Sequence, residues 1–228
     1  MQSNNTISQS LLWRFSSFFT SLLLNLLVAR TFGPVASGEV NYFVAIASLL
    51  VLLSSFNLDA AIIHFTAAGK IKLNKLLTLS LLVVLVSAVL YFAFSFYWNG
   101  TTQSLGTMHD FPVYAGLYLL GLQVHAMTIA IYYGKQDFFM PGLIISILNL
   151  VQIIMLLFVF NNPGEQALID YMRVFFLVPF IQAIFLWIWL QANKKLDFRL
   201  AMPLREEWKA ISRFSLVIFI TNIILFLV

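Results

Sequence analysis

Long apolar runs recur along this chain, and they constrain its fold more than any other feature. Six runs of roughly 21 to 24 residues are followed by a shorter one at the C-terminal end. A helix of about 20 apolar residues crosses the ~30 Å hydrocarbon core of a bilayer, since each residue rises 1.5 Å. Continuous apolar runs are not barrel strands, which alternate. The sequence therefore predicts an all-α, polytopic transmembrane helical bundle with spans at about residues 7–29, 40–63, 76–98, 113–133, 140–160, 168–190 and 214–228.

The composition excludes an ordinary soluble domain. Hydrophobic residues make up 61% of the chain and charged residues 10%, against about 45–50% and about 25% in soluble domains. Cysteine is absent, which excludes disulfides, a thiol nucleophile and a cysteine-ligated metal. The histidines have no metal-site spacing, and no nucleotide-binding or hydrolase motif occurs. We expect no enzymatic activity, no metal and no cofactor.

The distribution of basic residues predicts the orientation in the membrane. Of the 13 Lys and Arg residues, the three loops that follow even-numbered spans hold all except Arg14, Arg30 and Arg173. The opposite loops contain only Arg30. By the positive-inside rule, the Lys- and Arg-rich loops and the N-terminus are cytoplasmic. The basic residues therefore indicate a membrane topology, and we expect no nucleic-acid partner.

The C-terminal part of the sequence suggests three structural units. Residues 203–214 place apolar side chains on one helical face and charged ones elsewhere, as in a helix lying on the cytoplasmic surface. We predict a six-helix lobe over residues 1–200, this linker over 201–213, and the start of a second lobe over 214–228. About 15 apolar residues reach only ~22 Å, so we expect the complete protein to continue; an inactive, truncated half-transporter is an alternative.

Polar side chains share one face of the first span. They follow one another at steps of three or four residues: Ser10, Arg14, Ser17, Ser21 and Asn25. An ionisable residue in a span costs roughly 2.5–3.5 kcal/mol, so such residues tend to face a hydrated cavity. Small polar residues also bond neighbouring helices, and an arginine can snorkel to the interface, so both interpretations remain open. The candidates that we expect on other spans are Tyr118, His125, Tyr132, Asn149 and Gln152.

Two segments resemble motifs of a known transporter family. Residues 29–34, Ala-Arg-Thr-Phe-Gly-Pro, with Gly38 following, resemble the loop after the first helix of polysaccharide flippases. These belong to the multidrug/oligosaccharidyl-lipid/polysaccharide exporter superfamily. Residues 54–65 look like the stretch that ends the second helix of that family, with Asn57 in place of the usual Gly and His64 in place of the usual Arg. Residues 134–138 resemble its short cytoplasmic turn.

The resemblance implies the first lobe of a two-lobe transporter in the bacterial inner membrane. It implies a flippase that moves undecaprenyl-diphosphate-linked oligosaccharide from the cytoplasmic to the periplasmic leaflet for O-antigen-type surface polysaccharide or lipopolysaccharide synthesis. Membrane lipids and a polysaccharide polymerase are further candidate partners. A diphosphate in a low-dielectric cavity needs a cation; Arg14 is the best candidate, with Arg30 and Arg173 at the outer mouth. The sugar could stack on Tyr118 or Tyr132 and bond Asn25, Asn149 or Gln152.

Two other functional classes remain as alternatives. A cation-coupled multidrug exporter of the same superfamily would favour an acidic residue inside the membrane, but Asp59 lies at a predicted helix end. A membrane-embedded glycosyltransferase or polymerase commonly needs a large extramembrane loop with catalytic acids. The longest predicted outer loop holds only Asp110.

Overall fold

The computed structural model describes residues 2–98, 111–159, 165–193 and 201–227, and throughout these ranges the regular structure is helical. The helices are α1 (Gln2–Ser55), α2 (Leu58–Ala68), α3 (Leu73–Trp98), α4 (Phe111–Gly134), α5 (Phe139–Val159), α6 (Glu165–Ala192) and α7 (Arg205–Leu227). The predicted all-α class is confirmed. Lys194, Lys195 and Arg199, which contribute to the predicted topology, lie outside the described residues.

Five helical stretches in the described ranges are long and apolar enough to cross a membrane. They are Ser10–Ser55, Leu73–Tyr97, Phe111–Gly134, Phe139–Phe158 and Gln166–Ala192. The last four overlap the predicted third to sixth spans. Together the five suggest a multi-pass membrane protein, while the count of six full spans stays a prediction.

Helix α1 differs from the two separate spans expected in this region. The predicted loop over residues 30–39 is helical, apart from an interruption at Gly33, where φ is 83° and ψ is 171°. Glycine adopts a positive φ without a steric penalty. Pro34 follows, and proline fits the first turn of a helix, where no N–H is needed. The break between the two halves of α1 therefore takes one residue instead of a ten-residue loop.

A second break divides the predicted span 40–63. Phe56 and Asn57 both have left-handed backbone conformations, with φ of 48° and 54°, and α2 begins at the next residue. The predicted span 40–63 did not include this break. Helix α2 ends at Ala68 and is capped by Gly69, which has a left-handed conformation. The Gly69 N–H donates to the Thr66 carbonyl at 3.3 Å.

The C-terminal described region is one helix, where the sequence predicted a surface helix followed by a separate seventh span. Neither Gly nor Pro occurs between Arg205 and Leu227, so nothing in the sequence of α7 interrupts it. Ile211 of α7 is buried in the same apolar cluster as Ile62 of α2. The proposed unit boundaries at 200 and 213 stay predictions.

Helix α4 lies at the centre of the bundle and packs against α2, α3 and α6. Helix α1 packs mainly against α5. Close packing with α6 depends on Gly121, where a Cβ atom would lie 2.6 Å from the backbone nitrogen of Phe180. Beside Gly134, at the end of α4, a Cβ atom would lie 2.6 Å from the Cβ of Thr66 in α2. Small residues of this kind let transmembrane helices approach closely.

Candidate functional site

Arg14 lies over two aromatic rings at the turn between α4 and α5. Its Cζ is 5.6 Å from the ring centroid of Tyr133 and 5.8 Å from that of Phe138. The turn is tight: Gln136 has a φ of 59°, and the Asp137 N–H donates to the Tyr132 carbonyl at 2.9 Å. The two rings attract the guanidinium through cation–π interactions and fix where it lies.

Among the described residues, no side chain forms an ion pair with Arg14. No described carboxylate lies within salt-bridge distance of its guanidinium, and its side chain is exposed. Arginine offers several donors in a planar fork, which suits paired hydrogen bonds to phosphate oxygens. Arg14 can therefore bind an anion that approaches from the exposed side of α1.

Polar residues of α1 that face α5 form interhelical hydrogen bonds. Asn149 Nδ2 donates to Thr20 Oγ1 and to Ser21 Oγ, each at 3.1 Å, and Ser16 Oγ lies 3.0 Å from Ser146 Oγ. This contact brings together two predicted site residues, Ser21 and Asn149, inside a helix–helix interface. Hydrogen bonds of this kind join associated transmembrane helices, and the same side chains would also suit a binding surface.

The predicted stripe on α1 divides between this interface and an uncovered face. Ser17 is half-buried and donates to the Trp13 carbonyl at 2.9 Å. Arg14 and Asn25 are exposed. Asn41 and Ser48, on the second half of α1, are exposed too. Exposed apolar side chains, among them Leu11, Phe18 and Leu22, lie on the same side of the helix, so the exposed surface of α1 is mixed, with polar groups set among apolar ones.

Both predicted stacking tyrosines lie within packed clusters. Tyr118 is 3% exposed, and its ring stacks on Phe175 with centroids 5.5 Å apart. Tyr132 is 1% exposed, and its hydroxyl donates to the Leu186 carbonyl at 2.8 Å. Neighbouring side chains enclose the two rings in this conformation.

Two further predicted residues leave polar atoms unpaired. His125 Nε2 and Gln152 Oε1 are buried and have no hydrogen-bond partner among the described residues. They lie on different helices, α4 and α5. The structure places neither of them against Arg14 or against the rings beside it.

The predicted outer-mouth arginines occupy separate positions. Arg30 is exposed near the middle of α1. Arg173 Nη1 donates to Asp170 Oδ1 at 3.1 Å, one turn away on α6. Part of the Arg173 charge is thus compensated locally.

Sequence reasoning missed a cavity between α1, α2 and α4 that is lined by both polar and apolar side chains. The cavity has a volume of 170 Å³, and its polar lining consists of Ser48, Ser55, Asn57, Asp59 and Gln123. We call it the α1–α2–α4 cavity. Asn57 is 5% exposed and Gln123 is fully buried. The available signal was Ser54-Ser55-Phe56-Asn57, a polar interruption late in an apolar run.

Searches against protein families, curated proteins and solved structures give no match to this chain. Among the described residues, no group of three or more His, Asp or Glu side chains comes together.

Proposed function

We propose that this chain is a transmembrane lobe of a flippase for lipid-linked oligosaccharides. Its substrate is an undecaprenyl-diphosphate-linked oligosaccharide, which moves from the cytoplasmic to the periplasmic leaflet of a bacterial inner membrane. The observation that carries the proposal is Arg14, an exposed cation of an apolar helix that lies over two aromatic rings and has no ion-pair partner among the described residues. A diphosphate that approaches this end of the helices would need such a group. The sequence resemblance supplies the identity of the lipid carrier.

A six-span topology fits α1 better than a single crossing. The apolar stretch Ser10–Ser55 has 46 residues and would measure about 69 Å as a straight helix, over twice the ~30 Å core. The interruption at Gly33 supports two antiparallel crossings within it. Four further apolar helices then bring the total to six.

The α2–α3 turn, the α4–α5 turn and the start of α7 contain basic residues and lie close together, which supports placing them at one cytoplasmic end of the bundle. Lys75, beside the α2–α3 turn, pairs with Glu207 at the start of α7. Gly134, beside the α4–α5 turn, contacts Thr66 at the end of α2. Arg14 reaches that same α4–α5 turn. The positive-inside rule then assigns this end, with the N-terminus, to the cytoplasm.

The exposed polar residues of α1 support a cleft along this helix as the substrate pathway. Arg14 would receive the diphosphate, and Asn25 and Asn41 line the same helix further along. A second helical lobe facing α1 would complete the cleft, and rocking of one lobe against the other would expose it to each leaflet in turn.

Substitution of Arg14 in the complete protein of the source bacterium tests the proposal. We expect Arg14→Ala to abolish surface polysaccharide at unchanged expression, and Arg14→Lys to retain part of it, because lysine keeps the charge without the bidentate fork. Arg213→Ala, an exposed arginine of α7, is the matched control and should leave polysaccharide unchanged.

Normal polysaccharide in the Arg14→Ala strain would contradict the role of Arg14. A change in drug susceptibility without a polysaccharide phenotype would favour the multidrug exporter instead.

A further inference from the structure

Two adjoining apolar cavities lie between the end of α1, the helix α3 and the first half of α7. Their volumes are 490 Å³ and 270 Å³. The larger cavity is lined mainly by α1 and α3, and α7 supplies much of the lining of the smaller one. Both are lined by Phe56, Leu79, Val83 and Trp208. Because they share these walls, the two cavities form one continuous recess, which we call the α1–α3–α7 groove.

The larger cavity has a buried floor and exposed edges, and its chemistry suits a hydrocarbon chain. Leu79, Ser87 and Tyr91 are buried. The exposed side chains at its edges include Leu53, Val86 and Leu90. The hydroxyls of the floor are bonded within the protein: that of Tyr91 to Ser54, and that of Ser87 to Gln123 Nε2 at 3.2 Å. None of the described residues that line the groove is charged. An apolar chain can therefore occupy this cavity without displacing a hydrogen bond.

The length of the larger cavity matches one leaflet of a bilayer. Its α3 wall extends from Leu79 to Leu90, which is about 16 Å at 1.5 Å per residue. This is about half of the ~30 Å hydrocarbon core. Helix α3 is one of the helices that are long and apolar enough to cross a membrane, so the groove runs along a candidate span and begins near its first residue, Leu73. A hydrocarbon chain that belongs to one leaflet fits this length.

The division of the groove into two cavities favours a lipid with two chains. A diacyl phospholipid carries two hydrocarbon chains that leave one headgroup side by side, whereas a polyprenyl lipid carries a single, much longer chain. Trp208 and Val83 line both cavities, so the openings adjoin as the two chains of one phospholipid do. The shape of the groove therefore indicates a phospholipid as its occupant.

The charge at one end of the groove indicates an anionic headgroup. The starts of α3 and α7 are joined there by the ion pair of Lys75 with Glu207. Residues 70–75 and 205–213 hold six basic side chains and two acidic ones: Lys70, Lys72, Lys75, Arg205, Lys209 and Arg213 against Glu206 and Glu207. Arg205 is exposed and precedes Trp208 by three residues, so both lie on one face of α7. Exposed Lys209 follows directly. Basic residues beside a span attract anionic lipids, and a guanidinium bonds phosphate oxygens in pairs.

We propose that the α1–α3–α7 groove binds one anionic phospholipid. Its two acyl chains occupy the two cavities, and its phosphate contacts Arg205 and Lys209. A lipid in this position joins α7 to α1 and α3. The site is distinct from Arg14, and the proposal does not depend on the flippase assignment.

Fluorescence quenching by spin-labelled lipids tests the proposal. Since the native chain has no cysteine, a bimane fluorophore can be attached at a single engineered one. Val86 and Leu85 are neighbours on α3 with nearly equal exposure, 68% and 67%, but of the two only Val86 lines the groove. The full chain, as Val86→Cys or Leu85→Cys, is placed in phosphatidylcholine nanodiscs. Roughly one lipid in twenty carries a nitroxide on an acyl chain, and this lipid is either phosphatidylglycerol or phosphatidylcholine.

We expect spin-labelled phosphatidylglycerol to quench the Val86 label several times more strongly than spin-labelled phosphatidylcholine does. Two cations near the membrane surface should favour the anionic lipid by about tenfold, which raises its share of the groove from about a twentieth to about a third. Both lipids should quench the Leu85 label equally, because that position contacts lipid outside the groove.

Charge variants in the Val86→Cys background test the headgroup contact. Replacing both Arg205 and Lys209 by Gln should reduce quenching by phosphatidylglycerol to the level of phosphatidylcholine. Arg213→Gln removes another exposed cation of α7, about 140° from Trp208 around the helix at 3.6 residues per turn, and should retain the preference. All three positions are exposed, so the substitutions should leave the packing of the helices unchanged.

Equal quenching of the Val86 label by the two lipids would overturn the proposal, because only unselected bilayer lipid would then reach the groove. Quenching at Leu85 but not at Val86 would also overturn it, since protein would then cover the groove. A preference that persists without the Arg205 and Lys209 charges would remove the headgroup contact. If unlabelled undecaprenyl phosphate restores the Val86 fluorescence better than unlabelled phosphatidylglycerol does, the groove binds a polyprenyl chain and the phospholipid assignment is wrong.

Discussion

Among single residues, Lys75 and Glu207 make the ion pair that ties the start of α7 to the start of α3. Lys75 Nζ donates to both oxygens of Glu207, at 2.8 Å and 2.7 Å, and the Leu204 N–H donates to the same carboxylate at 2.7 Å. The hydrogen bond from Lys75, followed by that from Leu204, lowers the pKa of Glu207 below its usual value. The stabilisation that the pair provides is therefore fully present at a pH above the usual pKa of a glutamate. It is lost as the pH falls through the lowered pKa of Glu207.

Glu207→Gln should loosen the start of α7, because the amide cannot replace the ionic bond to Lys75. Spin labels on Lys70→Cys, in the α2–α3 turn, and Ser212→Cys, in α7, report the separation of that turn from α7 by pulsed dipolar spectroscopy. We expect a narrow distance distribution at pH 7, broadened by Glu207→Gln, and broadened in the parent protein only when the pH falls below the usual pKa of a glutamate. Glu206→Gln, at the exposed neighbouring position, is the control. An unchanged distribution in Glu207→Gln would show that apolar contacts alone hold α7.

The roles of individual polar residues were only partly accessible from the sequence. The polar spacing identified Arg14 and Asn25 as one face of α1, and both are exposed there. Their neighbours Ser17 and Ser21 bond within the helix or to α5, because they lie at the edge of that face nearest to α5. Asn57 and Gln123 come together only through the break after α1 and the packing of α2 on α4. No pattern within one helix contains that information.

At the scale of helices, two glycines make opposite contributions to the bundle. Gly121 lies against the Phe180 backbone, where a Cβ atom would approach to 2.6 Å. Gly38 lies in the second half of α1 and has no atom within 4 Å of such a Cβ position. The first glycine therefore permits close packing of α4 on α6, while the second only weakens its own helix.

Gly121→Ala should destabilise the protein by about 1–3 kcal/mol, the usual range for overpacking against backbone. Gly38→Ala should stabilise it by roughly 0.5–1 kcal/mol, because alanine is the better helix former. Denaturant unfolding in mixed micelles, followed by circular dichroism, measures both. Equal effects of the two substitutions would contradict the described packing of α4 on α6.

The apolar runs predicted α3, α4, α5 and α6 within a few residues of their ends, because length and hydropathy largely determine such helices. They did not predict how the chain connects helices. Gly33 was expected within a loop and instead makes a one-residue break, and the left-handed Phe56 and Asn57 divide a run with no Gly or Pro. Asparagine adopts the left-handed conformation more readily than most residues, whereas phenylalanine rarely does, so the local sequence accounts for Asn57 but not for Phe56.

At the scale of the whole molecule, the proposed six-span arrangement would put two exposed sites on opposite sides of the membrane. Val35 is 75% exposed beside the Gly33 break, and Lys72 is exposed between α2 and α3. In intact cells, a membrane-impermeant maleimide should label Val35→Cys, and should label Lys72→Cys only after the membrane is permeabilised. Labelling of both residues from the same side would contradict two crossings within α1.

The flux of lipid-linked oligosaccharide across the membrane tests the proposed function most directly. We would delete the gene in its source bacterium, restore the complete protein or its Arg14→Ala variant, and measure lipid-linked repeat units in each leaflet together with surface polysaccharide. The account predicts that deletion leaves the repeat units in the cytoplasmic leaflet and removes surface polysaccharide, and that only the unaltered protein restores export. Normal polysaccharide and periplasmic repeat units in the deletion strain would contradict it.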